Sequence, residues 1–285
     1  MRLPFTPARV IATLCLLFWS GAIPARADMM DVPGGRLSVE TCGTGPRTIV
    51  LLHDGILHSA AYDAVWPQLC ERFRVIRYDR RGYGASAPAT GPYAPVRDLE
   101  AVLKAQGVTH ATFVGASSGG GLAVDFALTH PESVDRLVLA GPWVAGFRPT
   151  LGFTIRNLTL LALFRAGLLD QAVRDPYILT RDADEARARV SAWLRASPGN
   201  ITAGSAERFT LLARPRLGEI RAPTLVLVGA SDMRAVRVQA AEVAKGVQNG
   251  RLMVVPSAGH FMYVEQPADF AARIIAFMGP DPVGG

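Results

Sequence analysis

The sequence predicts a doubly wound, mostly parallel α/β sheet with an inserted helical cap. Three observations predict it. Short, nearly continuous apolar runs rich in Val, Ile and Leu recur at 47–53, 72–79, 111–116, 136–141, 223–230 and 251–259, the kind of run that is buried on both faces of a parallel sheet. Helix-length stretches separate most of them, at 62–71, 95–106, 118–130 and 235–247, with a last one at 267–278, and that alternation places helices on both sheet faces. Between about 144 and 218 the alternation stops: no clear strand stands out, and 153–170 and 182–196 both read as helices.

The elements follow in order. Residues 1–27 open with Arg2 and Arg9, continue through an apolar run from Val10 to Ile23 and end in "PARA" before Asp28. That is the layout of a secretory signal peptide with Ala25 and Ala27 at the cleavage positions. The run is shorter than the roughly 20 apolar residues of a spanning helix, and no Cys marks the cleavage point for lipidation. The expectation is cleavage after Ala27, a periplasmic or secreted protein and no stable membrane anchor. A β-hairpin around "PGG" at 33–35 opens the mature domain. The core then runs in two parts, 28–143 and 219–285, around the insertion 144–218. Seventy-odd residues are too many for a plain crossover. They are read as a cap above the carboxyl edge of the sheet, where open α/β folds bind ligands. The apolar stretch 158–164 fits a lid over an apolar pocket.

Charge excludes more than it assigns. The formal net charge of +6 includes Arg2, Arg9 and Arg26 of the leader, and the remaining arginines are scattered rather than striped. A nucleic-acid footprint is absent. No Cys or His spacing suits a metal. "GYGASA" (82–87) resembles a dinucleotide fingerprint, but "PATGP" follows where a helix is required. No cofactor is expected; the partner is a small-molecule substrate, and oligomeric state is left open. Cys15 lies in the leader, while Cys42 and Cys70 fit either a disulfide or two buried thiols.

The chemistry concentrates in "VGASSGGG" (114–121), where Gly115, Ser117 and Gly119 fit G-x-S-x-G directly after one apolar run and directly before a helix. This strand–turn–helix setting is what a nucleophile elbow needs. A serine needs a base, and the base an orienting acid, in the order Ser, Asp or Glu, His. His130 ends the helix that follows the elbow and points away from it. His260, in "PSAGHF", follows the last strand run, and Asp232, in "LVGASD", follows the one before. Three such residues at three strand ends on one side of the sheet form the candidate triad. Of the others, His53 reads as structural, His58 as a pocket residue or an ordinary packed histidine, Trp143 as active-site lining or core, and Glu265 as a helix-start or structural carboxylate.

On these residues, together with "LLHDGILHSAAYD", "YDRRGYGAS", "HPESVDRLVLAG" and "HFMYVEQP", the chain resembles the α/β-hydrolase superfamily over nearly all of its mature length except the cap. The resemblance implies Ser117 as nucleophile, Asp232 as acid, His260 as base and an oxyanion hole from the backbone N–H groups of Gly55 and Ser118. It implies a serine hydrolase of small, fairly apolar esters or lactones. Carbon–carbon bond hydrolysis, amide, peracid or acyl-transfer chemistry by the same triad, and a non-catalytic binder, stand as alternatives. Two departures stand out. Asp54 occupies the place of a usual glycine, where a carboxylate is unfavourable beside an oxyanion unless it points away, and Ala116 makes the pocket floor small and apolar.

Overall fold

The computed structural model describes residues 27–209 and 211–280; the expected leader falls almost entirely outside them. The chain order is β1 (Asp28–Val32), β2 (Gly35–Cys42), β3 (Thr48–Leu52), α1 (Trp66–Cys70), β4 (Arg74–Tyr78), α2 (Pro95–Ala105), β5 (Ala111–Ala116), α3 (Ser118–Thr129) and β6 (Val134–Ala140). There follow α4 (Leu151–Arg165), α5 (Leu169–Ala172), α6 (Asp184–Ala196), α7 (Asn200–Ala203), β7 (Thr224–Gly229), α8 (Arg234–Gly246), β8 (Gly250–Val255), α9 (Met262–Glu265) and α10 (Pro267–Met278).

The eight strands form one sheet in the order β1-β2-β4-β3-β5-β6-β7-β8. β1 pairs antiparallel with β2 and β2 with β4, and every later pairing is parallel. The hairpin turns at Pro33-Gly34, with Val32 opposite Gly35. Val50, Leu52, Phe113 and Leu137 pack under one layer of helices, and Ile49, Leu51, Val114 and Val138 under the other. This two-sided burial explains why the central strands read as unbroken apolar runs.

Element ends follow local chemistry. The helix expected over 62–71 is confined to α1, because Pro67 fixes a start at Trp66–Pro67; residues 59–62 wind a separate short turn. The helix expected over 153–170 stops at Arg165, and Gly167 beyond it takes a left-handed φ of 73°, a common way for a helix to end. Among the described residues no strand lies between β6 and β7, so the connection is helical. Cys42, at the end of β2, and Cys70, at the end of α1, are joined in a disulfide with Cα atoms 5.5 Å apart, deciding the alternative that the sequence left open. No described helix is long and apolar enough to cross a membrane.

Candidate active site

Ser117 sits between β5 and α3 with φ 50° and ψ −117°, a left-handed backbone that a non-glycine residue holds only when its surroundings dictate it. The surroundings do so. A Cβ on Gly119 would overlap the carbonyl oxygens of Leu52 and His53, and one on Gly115 would overlap Gly119, so only glycine lets α3 start this close to the strand ends. Ser117 is further pinned through its backbone N–H to Ala140 O (2.9 Å), while its carbonyl accepts from Trp143 N (2.9 Å). The N–H of Ser118 is the first of α3 and has no preceding helical turn to bond to.

Asp232 follows β7 and is almost fully buried at 2% exposure. Its Oδ1 accepts from Met233 N at 2.6 Å, and its Oδ2 lies 2.7 Å from Nδ1 of His260, beyond β8. That contact puts the Nδ1 proton on the Asp232 side and leaves Nε2 free for another partner. Burial pulls the His260 pKa down, but the charge and hydrogen bond of Asp232, with the charge of Asp54, outweigh it and hold the imidazole above its ordinary value. Gly141, at the end of β6 with φ 52°, leaves room for the pair: a Cβ there would stand 3.0 Å from the His260 ring and 3.4 Å from Asp232 Oδ2.

The loop carrying His260 is strapped to the helical segment above it. His260 N donates to Tyr177 O at 2.7 Å and Phe261 N to Ile178 O at 3.0 Å. Glu265 ties both sides: Oε2 accepts from Gly259 N (2.6 Å), and Oε1 from Thr180 N (2.5 Å) and Thr180 Oγ1 (2.8 Å). The structural reading of Glu265 is thus given specific partners.

The departure at Asp54 is also resolved. Oδ1 accepts from Ile56 N (2.8 Å) and Leu57 N (3.0 Å), and Oδ2 from Tyr263 OH (2.6 Å). Burial and the charge of Asp54 push the Tyr263 pKa well up, so its hydroxyl keeps the proton it donates. Arg80, 1% exposed, donates to Asp54 O (2.6 Å) and Ser118 Oγ (2.9 Å) and pairs with Glu207 at 2.9 Å. Nothing in the local sequence marks Arg80 or Tyr263: one is the second residue of "DRRG", the other one aromatic in "HFMYVE".

A cavity of about 420 Å³ gathers these groups. Gly55, Ser117, Ser118, Trp143, Asp232 and His260 all line it, and α4 contributes Phe153, Leu160 and Phe164 to its largely apolar wall. Trp143 stacks on Phe153 with ring centroids 5.1 Å apart, which places it as lining. His58 does not belong to this wall: its ring lies 3.7 Å from Asp79 and faces Trp193, so the pocket reading gives way to the packed one. His130 stacks on Phe126 and meets Glu100 at 3.2 Å, away from the elbow. His53, buried, lies 2.7 Å from Asp54 O through Nδ1 and accepts from Arg80 N (2.9 Å) through Nε2; burial first, then the charge of Arg80, hold its pKa well down. Among the described residues no group of three or more His, Cys, Asp or Glu is placed to hold a metal ion.

Known proteins resemble the chain over most of its length. The sequence profile described as the alpha/beta hydrolase family matches residues 49–273. The chain is 28% identical to a pimeloyl-[acyl-carrier protein] methyl ester esterase of Nitrosomonas europaea, over 83% of this chain and 97% of that one. It is 33% identical to a 2-hydroxymuconate semialdehyde hydrolase of Pseudomonas putida, over 72% and 76%. Among solved structures it is similar to an N-acyl homoserine lactone degrading enzyme, with a TM-score of 0.72 at 26% identity over 87% of this chain and 98% of that one.

Proposed function

The chain belongs to the α/β-hydrolase family and is a hydrolase, and from that premise we propose that it is an exported serine esterase cleaving a small, apolar carboxylic ester or lactone. The observation that carries this reading is one cavity edge shared by Ser117 on its left-handed turn and the Asp232–His260 pair at 2.7 Å.

Each residue then has one task. His260 Nε2 takes the Ser117 proton as Oγ attacks the carbonyl carbon, and Asp232 holds the imidazole in the right tautomer and balances its charge. The backbone N–H groups of Gly55 and Ser118 receive the oxyanion. The leaving alcohol takes the proton from His260, and water, activated by the same nitrogen, cleaves the acyl-enzyme. The segment 144–218 is the cap: α4 closes the apolar side of the cavity, suiting an acyl chain or lactone ring. The names of the relatives support ester and lactone chemistry, while the 2-hydroxymuconate semialdehyde hydrolase keeps carbon–carbon hydrolysis by the same triad as a second reading. Export follows from the leader-like 1–27 and is supported by the Cys42–Cys70 disulfide, a bond suited to an oxidising compartment.

The test is a panel of 4-nitrophenyl esters from acetyl to octanoyl, with the purified protein beside its Ser117→Ala and His260→Ala variants. Turnover that falls by about 10³-fold or more in both variants supports the assignment. Near-normal turnover in either variant removes it, and no turnover of any ester moves the weight to carbon–carbon hydrolysis.

A further inference from the structure

A second cleft, of about 510 Å³, abuts the catalytic cavity and shares Trp143, Phe153 and Gln239 with it, so the stacked Trp143–Phe153 rings line both. Its lining is unlike that of its neighbour. Arg148, Arg214 and Arg234 converge on it against a single carboxylate, Glu242. Arg214 is committed: it pairs with Glu242 at 3.1 Å and lies over the Phe147 ring at 4.9 Å. Arg148 and Arg234 are exposed and make no ion pair among the described residues, leaving two uncompensated guanidinium groups in one concavity.

The walls carrying these charges are fixed. Val144 N donates to the buried Gln239 Oε1 at 2.8 Å, and Arg214 N to Ala145 O at 2.9 Å, so the strand of chain leading to Arg148 is anchored to α8 and to the segment before β7. Within the catalytic cavity itself, Arg156 is already engaged by Asp175 and lies over the Tyr177 ring. Of the arginines that line these two cavities, the ones open to a ligand are therefore Arg148 and Arg234. A planar guanidinium fork matches a carboxylate in a way that a point charge does not.

We propose that this cleft is a carboxylate subsite: the substrate is an ester bearing a carboxylate that Arg148 and Arg234 hold, while its scissile carbonyl reaches Ser117 past Trp143. The inference rests on the ester-hydrolase reading and narrows it from a neutral apolar ester to an amphiphilic, anionic one.

The experiment compares 4-nitrophenyl hemiadipate with its methyl-capped neutral counterpart, and 4-acetoxybenzoate with its methyl ester, in the full protein and in the Arg148→Ala/Arg234→Ala double variant. The expected result is a loss in kcat/KM of at least tenfold on a carboxylate ester of one pair, carried by KM, against less than twofold on its neutral partner. The loss shrinks in 0.5 M salt, because exposed ion pairs are screened. The pair that responds tells whether the carboxylate lies on the acyl or the leaving side. Equal losses within both pairs, no loss in either, or no turnover of any carboxylate ester by the full protein overturns the subsite. A binding arm separates this failure from that of the esterase reading. Calorimetry of 4-butylbenzoate with the Ser117→Ala protein should show affinity that disappears when both arginines are removed, whether or not any ester is cleaved. Unchanged or absent affinity overturns the proposal.

Discussion

Replacing Glu265 by Ala isolates the strap that holds the proposed base. The carboxylate receives three hydrogen bonds, two from the backbone N–H groups of Gly259 and Thr180 and one from the Thr180 hydroxyl. In the variant the hydroxyl turns to water, but the two amides lose a charged acceptor. Orphaned donors cost about 1–3 kcal/mol each when buried; Glu265 is half-buried, so water recovers part of this and about 2 kcal/mol is expected. At about 2–4 °C per kcal/mol for domains approaching this size, the melting temperature falls by about 4–8 °C. The effect on turnover is of the same order in free energy, because Gly259 directly precedes His260. A displacement on the order of 1 Å in a catalytic group costs about 10²-fold, so kcat should fall by about 10–100-fold with KM little changed. Glu265→Gln keeps one acceptor oxygen but turns an NH2 group toward the other donor, and should fall between the two. The assay is ester turnover and a thermal melt on the same preparations. A variant that melts lower yet keeps kcat within twofold refutes the reasoning, since the strap would then hold the fold and not the base.

Three further outcomes follow from the same geometry. Gly141→Ala places a methyl group 3.0 Å from the His260 ring at a φ of 52°; a left-handed alanine costs about 1–2 kcal/mol, and kcat should drop at least tenfold while the melting temperature falls by only a few degrees, measured as above. Because His260, the proposed base, takes up a proton only when neutral, and its pKa is held up by Asp232 against the pull of burial, kcat/KM should rise with pH through a value above about 6.5. Asp232→Asn should move that limb to lower pH in a pH–rate profile as well as reduce the plateau. Removing the Cys42–Cys70 bridge, whose ends are 28 positions apart in the chain, releases about 3.5 kcal/mol of loop-closure restraint on the unfolded chain; the Cys42→Ser/Cys70→Ser protein should show a lower urea midpoint, and midpoints that coincide would mean that the bridge contributes nothing.

What the sequence disclosed is what depends on neighbours along the chain. The strands of the central sheet declared themselves because both faces are buried, and Ser117 because its turn needs glycines two residues to either side. Asp232 and His260 were legible for the same reason: each directly follows a readable strand run. What stayed hidden depends on partners far away in the chain. Glu265 acts on Thr180, Arg80 pairs with Glu207, and Tyr263 reaches Asp54; no local pattern encodes contacts between segments so distant. His58 fails as a pocket residue on the same ground, since its loop turns the ring toward Asp79 and away from the cavity.

Asp54 shows how the two kinds of information combine. Its sequence position beside the expected oxyanion donor Gly55 looks adverse, because an unscreened carboxylate would oppose a developing negative charge. In the fold its two oxygens are filled by three donors, and the Arg80 guanidinium bonds both Asp54 O and Ser118 Oγ. The negative charge is thereby turned toward Tyr263 and the following turn, and a buried positive charge, kept protonated by Glu207 against the pull of burial, stands on the side of Ser118. The Asx-type turn that consumes Ile56 N and Leu57 N leaves the intervening Gly55 as the residue whose N–H is not drawn to the carboxylate. A substitution that reads as a defect in the oxyanion segment is thus, in three dimensions, the anchor that fixes the shape of that segment.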